Sequence, residues 1–482
     1  MIDLKPYPEY KDSGVPWLGK VPGHWQVRQL GRLGTLSKGN GGNKEDEIAD
    51  GVPCIRYGDL YTQHGFFIER SRACVSPERA SAYTPIRYGD VLFAASGETI
   101  EEIGKSAVNL MTTPAVCGGD VLRFTPAVPV NPRFIGYACD GPQATVQKSL
   151  MGRGFTVMHI YGTQLKSLWV PLPPLPEQAA LARFLDHADR RIRRYVGAKQ
   201  KLIKLLEEQK QAIIRRAVTR GLDPNVRLKP SGVEWLGDVP EHWVVASLRF
   251  RYHQCLGKMV DAKRETGKYP IPYLRNVDVQ WDRINTADLP QIDIAPGERE
   301  RYTVRSGDLL VCEGRHLGRA AFWRGDFSPC AFQKALHRLR ARNPRIDAPR
   351  WLFYCLYVVH FQDAFGASSH DNSIPHLTGE MLRAHKFPFP SFDEQTLIAA
   401  YIDEKVAAID QARALITCEI ERVLEYRTRL IADLITGKLD VREAAAGLPD
   451  ESDELEPLNE AEPDMEYVAA DHLDTVPEQT EA

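Results

Sequence analysis

The feature that most constrains this chain is an internal repeat. Residues 13–25 read SGVPWLGKVPGHW and residues 231–243 read SGVEWLGDVPEHW, so ten of thirteen positions are identical. The spacing is kept downstream, where Pro132-Arg133-Phe134 matches Pro349-Arg350-Trp351 at an offset of 217. A chain of 482 residues also exceeds the size at which one hydrophobic core keeps growing. The repeat therefore predicts two copies of one domain plan over residues 1–440.

Each copy begins with a mixed segment and closes with a long helix. Short apolar runs broken by glycine and proline, such as 91–93 and 309–312, are typical of strands in an α+β domain. Glu177 and Glu394 favour a helix start, and long stretches without proline follow both residues. We expect an α+β fold class with two tandem domains separated by two long antiparallel coiled-coil helices. The expected bounds are 1–175, 176–222, 223–391 and 392–440.

Apolar residues in both helices alternate at spacings of four and three, which is the heptad pattern of a coiled coil. The offset of 217 is a multiple of seven, so both copies keep the same phase. The alternative is an ordinary amphipathic surface helix, which does not account for matched phase and length. The predicted seam consists of Leu181, Leu185, Ile192, Leu202, Leu206, Ile213, Ile398, Ile402, Ile409, Ile416, Val423 and Leu430.

Chain length predicts the direction of the helices. About 40 helical residues span ~60 Å, whereas the link between residues 221 and 231 reaches at most ~36 Å when fully extended. A parallel pair would need a longer return. The helices are therefore expected to run antiparallel, with the two copies related by a pseudo-twofold axis.

Charge is distributed unevenly along the chain. Residues 443–482 hold 14 acidic side chains and no lysine or arginine, whereas the other residues carry 61 basic groups and 50 acidic ones. The body therefore has a net charge of +11, which suits a polyanionic partner. Residues 441–482 are expected to form a disordered acidic tail.

Composition also bears on location. The nine cysteines form no CxxC pair, and the longest apolar run, residues 351–359, is too short to span a membrane. The amino terminus lacks the apolar core of a secretory signal. We expect a cytoplasmic protein with reduced thiols, no membrane segment and no metal site. The run 351–359 is expected to form a core helix, with base stacking as the alternative.

Three motifs suggest chemistry but are incomplete. Six residues separate Gly97 from Gly104-Lys105-Ser106, where a phosphate-binding loop needs four, so a turn closing a strand hairpin is expected. The segment 131–134 lacks the second proline of the methyltransferase element Asn-Pro-Pro-aromatic. His24 and His242 stand beside tryptophans, and we interpret them as packing residues rather than as metal ligands or general bases.

Five short motifs lie in a characteristic order along the chain: Trp17-Leu18-Gly19, His24-Trp25, Pro171-Leu172-Pro173, Glu177-Gln178 and Thr436-Gly437-Lys438-Leu439. Through these motifs the chain resembles the specificity subunits of type I restriction–modification systems. The resemblance covers the chain to about Asp440 and implies two target recognition domains, each reading one part of an interrupted DNA site. It further implies that the antiparallel helices dock the methyltransferase subunits. The acidic tail departs from the family pattern.

The same resemblance assigns the chemistry to partners. Two modification subunits would supply adenine methylation from S-adenosylmethionine, and restriction subunits would supply translocation and cleavage driven by ATP with Mg²⁺. The chain itself is expected to be non-catalytic and to hold no cofactor. Two alternatives stay open: a single-chain nuclease or methyltransferase, and a coiled-coil scaffold that binds only proteins.

Contacts to DNA are expected in polar loops that differ between the copies, because unlike half-sites need unlike side chains at base edges. The candidate loops are 37–44, 151–159, 257–268 and 368–373. Lys44 with Lys263 and Arg56 with Arg275 align at an offset of 219 and suit phosphate contacts, with solvated surface charge as the alternative. The candidate residues are Lys38, Asn40, Lys44, Arg56, Gln63, Arg153, Lys258, Lys263, Arg264, Arg275, His370 and Asn372.

Overall fold

The computed structural model describes residues 4–41, 46–154, 157–260, 267–314, 316–365 and 376–449. The chain divides into two compact units, one of residues 1–199 with 417–482 and one of residues 200–416. The division crosses both long helices, because each half of a helix contributes side chains to the core of its own unit. The compact units therefore do not follow the expected bounds, which set the helices apart from the domains.

The first unit is built on two five-stranded sheets with short helices around them. In pairing order the sheets contain Gly34–Lys38, Val121–Pro126, Val91–Ala94, Ser106–Asn109 and Phe67–Ile68, and then Glu47–Ile48, Cys74–Val75, Val52–Ile55, Ala115–Cys117 and Thr84–Ile86. Smaller sheets pair Tyr10–Asp12 with Lys20–Pro22, Gln26–Gln29 with Trp169–Leu172, and Met158–His159 with both Ser96–Gly97 and Arg153–Gly154. Its short helices are Leu30–Arg32, Tyr57–Thr62, Pro77–Ala80, Pro132–Asp140, Pro142–Met151, Gly162–Leu165 and Arg442–Ala446.

The second unit has a four-stranded and a three-stranded sheet. In pairing order these contain Tyr252–Leu256, Leu336–Ala341, Leu309–Cys312 and Ala320–Phe322, and then Gln291–Asp293, Pro270–Leu274 and Ala331–Phe332. Strand pairs join Leu228–Pro230 to Asp238–Pro240, Val244–Ser247 to Lys386–Phe389, and Val279–Gln280 to Arg283–Ile284. Its short helices are Leu248–Phe250, Asn276–Asp278, Pro296–Glu298, Arg299–Tyr302, Pro349–Phe361 and Gly379–Ala384. Mixed helices and sheets in both units confirm the predicted α+β class.

The glycine-lysine-serine segment lies in a hairpin, as predicted. Strand Val91–Ala94 pairs antiparallel with Ser106–Asn109. The buried carboxylate of Asp140 accepts hydrogen bonds from Lys105 Nζ at 2.6 Å and from Lys148 Nζ at 2.8 Å. Burial alone would raise the pKa of Asp140, but the two ammonium groups outweigh burial and lower it. The segment therefore holds a structural ion cluster.

Aromatic residues dominate the core of the second unit. The helix Pro349–Phe361 contains the apolar run predicted to form a core helix, and every residue from 351 to 359 is buried. The Trp243 ring meets the Trp351 ring edge-on, with centroids 5.5 Å apart. The prediction of a core helix is confirmed.

The two long helices are Leu175–Arg220 and Phe392–Ile435. They end two and five residues before the expected bounds of 222 and 440. The cause is a glycine in the left-handed region after each helix, Gly221 with a φ of 72° and Gly437 with a φ of 75°.

Contacts within each unit show that the helices run antiparallel, as predicted. In the first unit, Leu185 shares a hydrophobic cluster with Leu430, and Arg427 donates to the carboxylate of Asp189. In the second unit, Arg413 Nη1 lies 2.8 Å from a carboxylate oxygen of Glu207. Residue numbers therefore fall along one helix as they rise along the other.

The buried seam departs from the strict heptad in the middle of the first helix. The residues of the predicted seam that are buried are Leu181, Leu185, Ile192, Ile398, Ile402, Ile409, Ile416 and Leu430, while Leu206, Ile213 and Val423 are half-buried. Leu202 is 40% exposed and does not belong to the buried seam, whereas Val196 and Ile214 are buried without having been predicted. An α-helix with 3.6 residues per turn drifts ~20° per heptad, which moves burial onto neighbouring positions.

The expected acidic tail begins later than residue 441. Val441 and Ala445 are buried in the core of the first unit, with Leu448 packed against it. The backbone oxygen of Leu448 accepts a hydrogen bond from Arg183 Nη2 at 2.7 Å. Apolar burial therefore makes residues 441–449 part of the first unit, and the rest of the tail lies outside the described residues.

All nine cysteines are free thiols. None of the helices in the described ranges is long and apolar enough to cross a membrane.

Candidate nucleic-acid interface

A buried glutamate joins the start of the first long helix to the repeated motif. Glu177 accepts hydrogen bonds from His24 Nε2 at 2.7 Å, from Trp25 Nε1 at 2.9 Å and from the hydroxyl of Tyr7. Its side chain is 5% exposed. Three bonds to one carboxylate therefore fix residues 7–25 on the first turn of the helix.

The second unit repeats this arrangement. Glu394 accepts from His242 Nε2 at 2.9 Å and from Trp243 Nε1 at 3.0 Å. Here the carboxylate is 27% exposed. His24 and His242 are exposed but are held by a hydrogen bond to the glutamate in each copy. We call the two arrangements the glutamate clamps.

The glutamine that follows each clamp glutamate forms hydrogen bonds with two backbone segments of its own unit. Gln178 accepts from the backbone nitrogen of Asn131 and donates to the oxygen of Pro173, at 2.9 and 2.8 Å. Gln395 accepts from the nitrogen of Ala348 and donates to the oxygen of Pro390, both at 2.9 Å. The duplicated Glu-Gln pairs are thus framework residues that dock a domain on its helix.

A third duplicated contact was not foreseen. Asp186 accepts a hydrogen bond from the Tyr137 hydroxyl at 2.8 Å and pairs with Arg133 Nη1 at 3.2 Å. In the second unit, Asp403 accepts from Arg350 Nε at 2.9 Å and from the Tyr354 hydroxyl. The offset of 217 relates all three pairs of positions, which is the signal that sequence reasoning could have used.

The described candidates for DNA contact fall into two groups. Lys38, Asn40 and Arg153 are exposed on short strands or beside them. Gln63 is half-buried, and its Nε2 donates to Asp59 at 2.9 Å. Lys44, Lys263, Arg264, His370 and Asn372 lie outside the described residues.

Three basic candidates already hold acidic partners. Arg56 Nη1 lies 2.7 Å from Glu47, and Arg275 Nη2 lies 2.9 Å from Asp278. The backbone nitrogens of both arginines also donate to an aspartate three residues later, at 2.8 Å. Lys258 Nζ pairs with Glu298 at 2.7 Å, and this hydrogen bond lowers the pKa of Glu298. The match between Arg56 and Arg275 thus has a structural cause, and their contacts with DNA stay predictions.

A cationic cleft in the first unit was missed by the sequence reasoning. It has a volume of about 660 Å³ and lies between residues 63–72, the helix Pro132–Asp140 and the first long helix. The basic side chains that line it are Arg70, Arg72, Arg133, Arg190 and Arg193, and the acidic ones are Glu69, Asp186 and Asp189. The run of four arginines among residues 190–194 was the available sequence signal. We call this feature the arginine cleft.

The two units thus share a duplicated framework and differ in their polar surfaces. The family model described as type I restriction modification DNA specificity domain matches residues 22–204 and 256–422. The chain therefore belongs to the family of type I restriction–modification DNA specificity domains, whose members recognise DNA and are not catalytic.

Individual relatives agree with this membership. The EcoKI type I restriction enzyme specificity subunit of Escherichia coli strain K12 is 21% identical over 87% of this chain and 90% of its own length. A Methanocaldococcus jannaschii protein assigned as the MjaX specificity subunit is 23% identical over 88% of this chain and 96% of its own length. A solved structure from work on complex assembly and conformational transition of the type I system has a TM-score of 0.67. It is 17% identical and covers 87% of this chain and 99% of its own.

Proposed function

We propose that this chain is the DNA-specificity subunit of a type I restriction–modification complex and reads a two-part target, one half in each unit. The proposal rests on one observation: the contacts that dock each domain on its helix are the same in both units, whereas the polar surfaces of the two units differ. The glutamate clamps and the Arg-Asp-Tyr contacts are duplicated. Of the arginines that line the cleft, Arg133 matches Arg350 of the framework, whereas Arg70, Arg72, Arg190 and Arg193 have no basic counterpart in the matching segments of the second copy. A constant framework with unlike surfaces suits the reading of two unlike half-sites.

The proposal includes partners and a location. Two methyltransferase subunits would bind S-adenosylmethionine, and restriction subunits would use ATP with Mg²⁺, so the chain contributes target choice alone. Its body with a net charge of +11 supports attraction to DNA. These reactions take place on cellular DNA, so the complex would work in the cytoplasm.

The test is to map methylated adenines in a genome that expresses the chain with its modification partner. We expect one interrupted motif with a gap of fixed length. Replacing residues 26–170 by the matching part of a relative should change one half of the motif. The matched exchange of residues 244–387 should change the other half. Methylation without a two-part motif, or changes in both halves from one exchange, would contradict the proposal.

A further inference from the structure

We propose that the arginine cleft binds the phosphate backbone of double-stranded DNA independently of base sequence. This inference rests on the proposed function and deepens it, because it names a surface that positions DNA on the first unit. Phosphate contacts fix the register and orientation of a protein on DNA, whereas base contacts carry the sequence information.

The chemistry of the cleft suits phosphate. All five of its basic side chains are arginines, whose planar guanidinium groups match phosphate oxygens in a two-pronged geometry. Arg70 and Arg72 are exposed and form no ion pair with any described residue. Two positive charges at the mouth are therefore available to an anion.

Both walls of the cleft contribute arginines. Arg70 and Arg72 follow the strand Phe67–Ile68, while Arg190 and Arg193 project from the first long helix. The walls approach each other at Gly65, where a Cβ atom would lie 3.5 Å from Arg193 Nη2. An anion held here would thus be contacted from two sides.

The dimensions fit a nucleic-acid strand. Arg190 and Arg193 are the two residues of the run 190–194 that line the cleft, and they are ~4.5 Å apart along the helix axis. Successive phosphates of one DNA strand advance ~3.4 Å along the duplex. The two arginines are therefore spaced closely enough to contact neighbouring phosphates.

Arg133 belongs to the duplicated framework contact with Asp186, but the other four arginines of the cleft are not repeated in the second copy. The positions matching 190, 191, 193 and 194 in the second copy are Ala407, Ala408, Asp410 and Gln411. Residues 286–291, which match the segment of Arg70 and Arg72 at any offset from 216 to 219, contain no basic residue. The second helix forms without them, so their presence in the first copy points to a ligand.

The walls favour DNA over an acidic protein segment. Protein interfaces depend on exposed apolar or aromatic anchors. Of the aromatic rings at the cleft, Phe66 and Tyr137 are buried, at 8% and 0% exposure, and Phe67 is half-buried with the Arg133 guanidinium 4.9 Å from its ring centroid. The accessible part of the cleft is therefore mainly polar.

The test compares a charge-neutral cleft with a matched control. The variant R70Q/R72Q removes two exposed arginines of the cleft. The control R32Q/R422Q removes two exposed arginines elsewhere in the first unit and makes the same change in net charge. The full-length proteins are titrated with a short duplex of random sequence over a range of salt concentrations, and thermal unfolding verifies that each variant is folded.

We expect R70Q/R72Q to lower the slope of log Kobs against log salt by about 2, with the control unchanged. The variant should keep the wild-type methylation motif when combined with its modification partner. An unchanged slope would overturn the inference. Loss of methyltransferase binding with an unchanged slope would also overturn it and would assign the cleft to a protein partner. Failure of the proposed function would be seen separately, as the absence of a two-part motif from the wild-type protein.

Discussion

Lys210 and Asp410 stand 200 residues apart in the chain and form an ion pair in which Nζ lies 2.8 Å from Oδ1. The Asp410 side chain is 46% exposed, so water screens the pair. Exposed ion pairs of this kind contribute about 0–1 kcal/mol. The ion pair therefore adds little free energy to the pairing of the antiparallel helices, and the apolar seam supplies most of their stability.

Val196 and Leu202 lie on the same helix, and substitutions at these two positions test how much stability the apolar seam supplies. Val196 is fully buried and Leu202 is 40% exposed. Replacing Val196 with Asp should cost several kcal/mol, because an unpaired charge would enter an apolar seam. Replacing Leu202 with Asp should change stability by about 0.5 kcal/mol or less. Urea unfolding of both variants measures the difference, and equal losses would show that the seam does not bury Val196.

The glutamate clamps should differ in strength. Glu177→Ala would leave the buried Trp25 Nε1 without its acceptor, at a cost of roughly 2–3 kcal/mol. Glu394→Ala should cost about 1 kcal/mol, because water can reach the more exposed site. Thermal unfolding of both variants measures the costs. A larger loss for Glu394→Ala would contradict the assignment.

His385 should make stability depend on pH. Burial lowers the pKa of His385 to about 4, whereas an unfolded histidine titrates near pH 6.5. The unfolded state takes up a proton as the pH falls below 6.5, and the folded state does not until about pH 4. Stability should therefore drop by about 2 kcal/mol between pH 7 and pH 5 from this residue.

His385→Phe provides the comparison. The ring packs against Phe365, Phe387 and Trp235, and its Nε2 atom has no hydrogen-bond partner among the described residues. The variant should fold and lose that part of the pH dependence. Burial also lowers the pKa of His337, which contributes equally to both proteins and cancels in the comparison. Identical pH profiles would show that His385 titrates normally in the folded protein.

Two truncations should distinguish the effect of the acidic tail on DNA affinity from the contribution of residues 443–449 to the stability of the first unit. Deleting residues 450–482 removes 13 of the 14 acidic groups and should raise affinity for random DNA at low salt, because a competing polyanion is lost. Thermal stability should stay unchanged. Deleting residues 443–482 should also lower the midpoint of thermal unfolding, since Ala445 and Leu448 leave the core. Equal midpoints for the two truncations would contradict the packing of residues 443–449.

The sequence predicted the fold correctly where a pattern is compatible with only one kind of structure. The repeat predicted two similar domains, and the apolar spacing predicted helices that meet at Leu185 and Leu430. It failed at Leu202, because the heptad template ignores the drift of a helix with 3.6 residues per turn. It also failed at Val441 and Ala445, because composition marks the start of an acidic region but not which apolar residues near it pack.

The candidate site was harder to predict because a basic side chain serves folding and binding equally well. Arg275 was selected from its alignment with Arg56, but the structure shows that both bind neighbouring carboxylates. Arg70 and Arg72 were overlooked, since nothing in their spacing reveals that they meet arginines more than a hundred residues away. The informative signal was asymmetry, a run of arginines in one copy that the other copy lacks.

Segments near the two ends of the described chain meet within the first unit. Lys5 forms a β-bridge with Asp440, and the Tyr10 hydroxyl donates to the oxygen of Lys438 at 3.1 Å. Hydrogen bonds therefore hold the two terminal segments close together, as a circular permutation requires. A covalent link between these ends, with new termini opened in the exposed residues 222–225, would exchange the order of the two copies in the gene. Apart from the contacts of residues 441–449, every contact described in the first unit would survive. The order of the two copies in the gene is therefore separable from the folded structure of the first unit.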